Sequence, residues 1–177
     1  MNDKMSSETN AINWFEIPAT DISRAKTFYE NIFETKIMKV VDAPVQRGAL
    51  IGTFKLGDKT VRITSIHLDW NGRFPQRRKQ LEFFKTQLTS PADCEIICGD
   101  LNTVGIGTEM VLRNQARKFR NLLGPGFISA YTKIRPTQRY FLQRLDHIFI
   151  KGAKVKESHV FRRRGSDHYP LVAALEI

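Results

Sequence analysis

Cysteine is scarce in this chain: Cys94 and Cys98 are the two among 177 residues. They stand four apart in the apolar run CEIIC, which reads as a strand. At ~3.3 Å per residue their Cα atoms lie roughly 13 Å apart, too far for a disulfide. The spacing is also a poor zinc signature, so both are expected to be reduced core thiols. No apolar run nears the ~20 residues of a membrane span. The opening MNDKMSSETN lacks the apolar stretch of a signal peptide. A disulfide-stapled secreted domain and a helical membrane protein are therefore not expected, and the cytoplasm is the default location. Internal repeats and low-complexity tracts are absent as well.

Acidic residues are the minority charge. Eighteen Asp and Glu face 28 Lys and Arg, for a formal charge of +10. The basic residues cluster in RFPQRRK (73–79), RNQARKFR (113–120) and FRRRG (161–165). Such a balance suits polyanionic partners, nucleic acid or phosphorylated substrates. A solvated basic surface would look the same, and charge does not separate DNA from RNA.

INWFEIP (12–18) reads as a short strand stopped by Pro18, followed by helical spacing through TDISRAKTFYENIF. The pattern then changes. ALIGTFKL (49–56) and TVRITSIH (60–67) are β-branched and joined at Gly57-Asp58-Lys59, a hairpin signal. A helix is predicted over 76–88, a buried strand at 94–98 and a basic amphipathic helix over 109–123. Strands are predicted at 145–150, 154–161 and 170–176. Helices mixed with hairpins predict an α+β fold with a mixed, mostly antiparallel sheet.

Four segments place polar chemistry at predicted strand ends: SIHLD (65–69), CGDLNT (98–103), RLDHIF (144–149) and GSDHYP (165–170). A strand end holds a side chain rigidly at the sheet's rim. Phosphoryl transfer needs such groups to take a proton from water, to donate to the leaving oxygen and to offset phosphate charge. Asp, Asn and His supply those roles. Singly, each segment is as well read as a turn with a capping Asp or Asn; the ordered set of four is harder to obtain by accident. Alternation along the strand puts His147 on the opposite face from Asp146.

The order H-L-D, G-D-L-N, R-L-D-H, G-S-D-H-Y-P, with RGALIGTF and Arg77-x-x-Gln80 ahead of it, resembles the endonuclease/exonuclease/phosphatase family over residues 47–177. The resemblance implies the later part of an α/β/β/α sandwich and a metal-dependent phosphoesterase using Mg²⁺ or Mn²⁺ on nucleic acid or another phosphodiester. It assigns His67 as general acid or phosphate ligand and Asp100 to the attacking water. Asn102 binds phosphate oxygens, Asp167 sits at the metal, His168 contacts the scissile phosphate and Asp146 holds His168. Asp69 is structural in many members and stays outside the site. His147 and His159 receive no role.

The same resemblance implies an earlier half with a metal-binding Glu, often in a Gln-Glu pair, and no such pair occurs in this sequence. AINWFEIPATDISRAKTFYENIFET (11–35) instead resembles the opening β-α unit of the vicinal-oxygen-chelate superfamily. Residues 1–38 are thus expected to be a fragment of that origin and 39–177 the phosphoesterase part. A recombined gene, a deliberate fusion or an assembly error would each produce that chimaera. The expected function is an impaired phosphoesterase. The alternatives are an inactive basic fragment that binds nucleic acid or a protein partner, and a glyoxalase-like protein. Self-association through an uncovered sheet face is a further expectation.

Overall fold

Alternating β-branched residues and a two-residue turn build the first large element of the fold. The computed structural model describes residues 23–24, 27, 37–42, 48–69, 74–88, 90–103, 109–133, 135–140, 143–162 and 166–177. Strands β2 (Gly48–Leu56) and β3 (Lys59–His67) form the expected antiparallel hairpin; of Gly57-Asp58-Lys59, expected as the turn, Lys59 already belongs to β3 and pairs with Leu56. Gly57 has φ 61°, the left-handed turn geometry that a glycine accepts freely.

β1 (Ile37–Asp42) pairs antiparallel with β2. β4 (Cys94–Asp100) lies parallel to β3, and β6 (Asp146–Lys151) antiparallel to β4. Among the described residues the two-residue β5 (Ile128–Ser129) gives a six-stranded mixed sheet of order β1-β2-β3-β4-β6-β5. β7 (Lys154–Val160) and β8 (Leu171–Glu176) form a separate two-stranded antiparallel sheet.

Two helices supply the crossovers. α1 (Phe74–Thr86) joins β3 to β4, and α2 (Glu109–Leu123) follows β4. α1 starts two residues before the expected position because Pro75 is tolerated in a first turn, where its missing N–H has no partner to lose. It closes with tighter i to i+3 bonds from the Gln87 and Leu88 amides to Phe84 and Lys85. Lys85 Nζ donates to the Leu122 carbonyl near the end of α2 and ties the helices together.

Side-chain alternation divides the core into two layers. Leu81, Phe84, Phe119 and Leu123 from the helices pack on Ala49, Ile51, Ile66, Ile97 and Phe149 on one sheet face. The opposite face presents Val61, Cys94, Cys98, Ile148 and Ile150 to Leu171, with Ala173 and Leu175 of β8 packed against the cluster. Burying a side chain such as Leu81 or Phe84 contributes about 2 kcal/mol. Cys94 and Cys98 are buried free thiols, and burial raises Cys98 to about 12. The arrangement is the α+β class with a mixed, mostly antiparallel sheet. Leu50 and Leu56 of β2 stay exposed.

Of the expected N-terminal β-α unit, Ser23, Arg24 and Thr27 are described and helical, with Thr27 Oγ1 donating to the Ser23 carbonyl at 3.0 Å. The rest of residues 1–36 lies outside the described residues. Among the described residues no helix is long and apolar enough to cross a membrane.

Candidate active site

The strand registers set one row of side chains across the rim. His67 of β3 is paired with Asp100 of β4, and Asp100 with Asp146 of β6. By alternation all three lie on the face opposite the helices, the face that also carries Val61, Cys98 and Ile148. The loop before β8 lays His168 over this row.

Asp100 is the hub. Its Oδ2 lies 3.6 Å from His67 Nε2 and 4.0 Å from His168 Nε2. Its Oδ1 accepts the Asn102 backbone N–H at 2.7 Å. Burial, then the neighbouring Asp146 charge, push the Asp100 carboxyl above the ordinary range; the Asn102 amide and the two histidines pull it back. A raised carboxyl holds a proton more firmly once it has taken one, which suits a base.

His168 is held from its other nitrogen. Its Nδ1 lies 2.8 Å from Asp146 Oδ2. That hydrogen bond, opposed by burial and helped by the charges of Asp146, Asp100 and Asp167, raises the imidazole to about 9. At neutral pH the ring is therefore cationic and both nitrogens donate. Nδ1–H is spent on Asp146, and Nε2–H is presented on the Asp100 side.

His67, Asp100, Asp146 and His168 are thus brought together, and the remaining two expected residues are placed differently. Asn102 is buried beside them at φ 47°, and its Nδ2 donates to the Leu68 carbonyl at 2.8 Å. One amide hydrogen expected for phosphate is committed to backbone. Asp167 is exposed, with Ser166 Oγ 3.4 Å from its Oδ1.

His147 lies on the helix side of β6. It is buried, stacked on Phe149, and its Nε2 is 2.8 Å from Thr103 Oγ1. Thr103 Oγ1 donates to the Arg144 carbonyl, so Nε2 carries the imidazole proton, and Nδ1 is left without a hydrogen bond. Burial and the Arg144 charge hold this ring well below its usual range, hence neutral. It is a packing histidine.

Two residues beside the site had no role in the sequence reading. Arg77, buried on α1, lies within electrostatic reach of Asp69 and Asp100. Its membership of the Arg77-x-x-Gln80 pair was the available signal, and Gln80 accepts the Asp69 N–H at 3.0 Å. Thr137, buried in the loop before β6, carries no sequence signal at all.

The resemblance implies a divalent cation. A hard cation takes six or more oxygen ligands, several from carboxylates. Among the described residues no group of three His, Cys, Asp or Glu side chains is placed to hold one. Asp100 and Asp146 are turned to histidines, and Asp167 stands at the surface. The described donors do not fit a closed cation site, and no step is assigned to a metal.

No family model matches the sequence, and no curated protein matches it. Solved structures do. The inositol polyphosphate 5-phosphatase domain of SPsynaptojanin, in complex with inositol (1,4)-bisphosphate and calcium ion, matches with TM-score 0.65 and 15% identity over 76% of this chain and 52% of that one. An endonuclease/exonuclease/phosphatase family protein from Leptotrichia buccalis matches at 0.60 and 18%, over 81% of this chain and 63% of that one. A mutant of Cimex nitrophorin, as its ferrous NO complex, matches at 0.54 and 15%, over 80% and 62%. The chain shares the fold of these proteins and spans 52–63% of their lengths. A nitrophorin among them shows that the fold does not dictate the chemistry. The oxygen-chelate resemblance of residues 11–35 receives no support from these comparisons.

Proposed function

We propose that the rim site binds and hydrolyses phosphodiesters, slowly. The observation that carries this reading is the Asp100 carboxylate set between two imidazoles, one of them fixed by Asp146. A phosphate seated between His67 and His168 would receive N–H donors from both sides. Cationic His168 offsets charge on the phosphoryl oxygens through Nε2–H. Asp100, between the two rings, orients a water and takes its proton. The phosphatase and the family protein among the matched structures support a phosphoesterase reading of this set.

The test is hydrolysis of bis(p-nitrophenyl) phosphate by the purified chain, with Mg²⁺ or Mn²⁺ titrated in and then removed by EDTA. Slow turnover is expected, carried by Asp100 and His168 and lost in Asp100→Ala; the cation and EDTA arms show whether a divalent cation adds to it. Cleavage that survives both EDTA and Asp100→Ala would overturn the reading. The second reading, a basic fragment that binds nucleic acid without cleaving it, draws on the +10 charge and the lack of a three-donor cluster among the described residues. It is the outcome if DNA binds with a steep salt dependence and no turnover is seen at any cation concentration.

The site also predicts a bell-shaped pH dependence. Asp100 must be ionised to accept a proton, and its carboxyl is raised, so activity falls on the acid side above the ordinary carboxylate range. His168 must be protonated to donate, so activity falls on the alkaline side near pH 9. The two limbs belong to the coupled cluster as a whole. A flat rate across pH 5 to 10 would contradict both assignments.

A further inference from the structure

The Asp146–His168 contact joins two separate pieces of chain, the start of β6 and the loop before β8. Something must hold those pieces in register, because a productive site tolerates only about 0.5 Å of play. Thr137 touches both. It is fully buried, at 0% exposure. Its Oγ1 accepts the backbone N–H groups of Leu145 and Asp146, each at 3.0 Å. Its own N–H donates to the Gln143 carbonyl at 2.9 Å, and its carbonyl accepts the Tyr169 N–H at 2.6 Å. One residue therefore bonds to the amide of Asp146 and to the residue that follows His168. Adjacent bonds reinforce the clamp. Gln138 forms a bridge with His168, and the Arg139 N–H donates to the Asp167 carbonyl at 2.7 Å.

We propose that Thr137 is a positioning residue, tying the start of β6 to the His168 loop and thereby setting the Asp146–His168 contact. The side chain matters as well as the backbone. An aliphatic residue of the same shape keeps the packing yet removes the acceptor for two N–H groups, one of them the aspartate's own. The strand end is then free to shift against its register, and the carboxylate moves with it. A serine keeps the acceptor and loses only a methyl group. The inference rests on the reading of Asp146 and His168 as a working pair.

The test compares Thr137→Val with Thr137→Ser in the full chain. Three quantities are read: kcat and KM on bis(p-nitrophenyl) phosphate, and the downfield Nδ1–H proton resonance of His168 at one fixed pH. Thr137→Val is expected to lower kcat about 10- to 100-fold with little change in KM, as a small misplacement does. It should also weaken or erase the Nδ1–H signal, while Thr137→Ser retains both. A Thr137→Val protein with normal kcat and an intact signal overturns the proposal. So does a serine variant as impaired as the valine one, since that would make the methyl group the important part. Hydrogen exchange on the unaltered protein tests the tie even if the valine variant does not fold: Leu145 and Asp146 amides exchanging as fast as exposed ones would refute it. Should the unaltered chain show no hydrolysis, the site reading fails on its own, and the resonance and exchange data still decide on Thr137.

Discussion

Replacing His168 with alanine is expected to lower phosphodiester hydrolysis about 1,000-fold or more, the scale of losing a charged donor aimed at the transition state. The ring is held by the 2.8 Å bond to Asp146, so its Nε2 direction is set before substrate arrives. Its raised proton affinity keeps it charged at neutral pH. Alanine removes the charge and leaves Asp146 beside Asp100 with no cation between them. Asp100→Asn should cost a similar factor, since an amide keeps the shape but takes no proton. The double variant should be little worse than either single one, because the groups act as a unit. Steady-state kinetics decide the point. Circular dichroism melts check folding, because losing a mostly buried ring and its ion pair with Asp146 should lower the melting temperature as well, and the rates are compared below the variant's melting transition. A loss under tenfold for both single variants would remove this row as the working site.

Much of this geometry was legible before any coordinates, for a physical reason. A polar residue ending a run such as CEIIC is expensive to bury without a partner, so Asp100 announces itself. Asp146 and His168 interrupt or precede apolar runs in the same way. The β2–β3 hairpin was legible from Gly57-Asp58 and period-two alternation, and α2 from its single apolar stripe. Other features left no local trace. β1 is six residues at the sheet's edge with no turn signal before it, and its pairing to β2 is a tertiary fact. The use of Asn102's amide on the Leu68 carbonyl depends on the left-handed backbone at residue 102, which an Asn permits but does not announce. Thr137 matters through what its backbone and hydroxyl reach, and a lone Thr among basic residues has no period or motif.

Substituting Gly99 with alanine is expected to cost about 4 kcal/mol of stability, the sum of positive-φ strain and an overpacked contact. Gly99 sits at φ 129°, a conformation an alanine resists. A Cβ there would lie 2.0 Å from the Ile66 carbonyl oxygen. That oxygen belongs to β3 directly opposite, where Ile66 is paired with Gly99. Neither strand can yield alone, because Ile66 anchors the helix-side core and the Leu68 N–H is bonded to the Asp100 carbonyl at 2.9 Å. The strands must therefore separate where His67 meets Asp100, so stability and activity should fall together. For a chain of this size the loss is a melting shift of roughly 8–16 °C. Two other glycines serve as internal standards. Gly57 shares positive φ at 61° but has open space around its Cβ direction, so alanine there should cost about 1 kcal/mol from strain alone. Gly52 has neither a left-handed φ nor a neighbour within 4 Å, so alanine there should change stability by less than about 0.5 kcal/mol. Thermal denaturation of the three variants ranks them. A Gly99→Ala protein that melts within about 3 °C of the Gly57→Ala one would show that β3 and β4 do not approach as closely as the parallel register requires, and would unseat the row of His67, Asp100 and Asp146 with it.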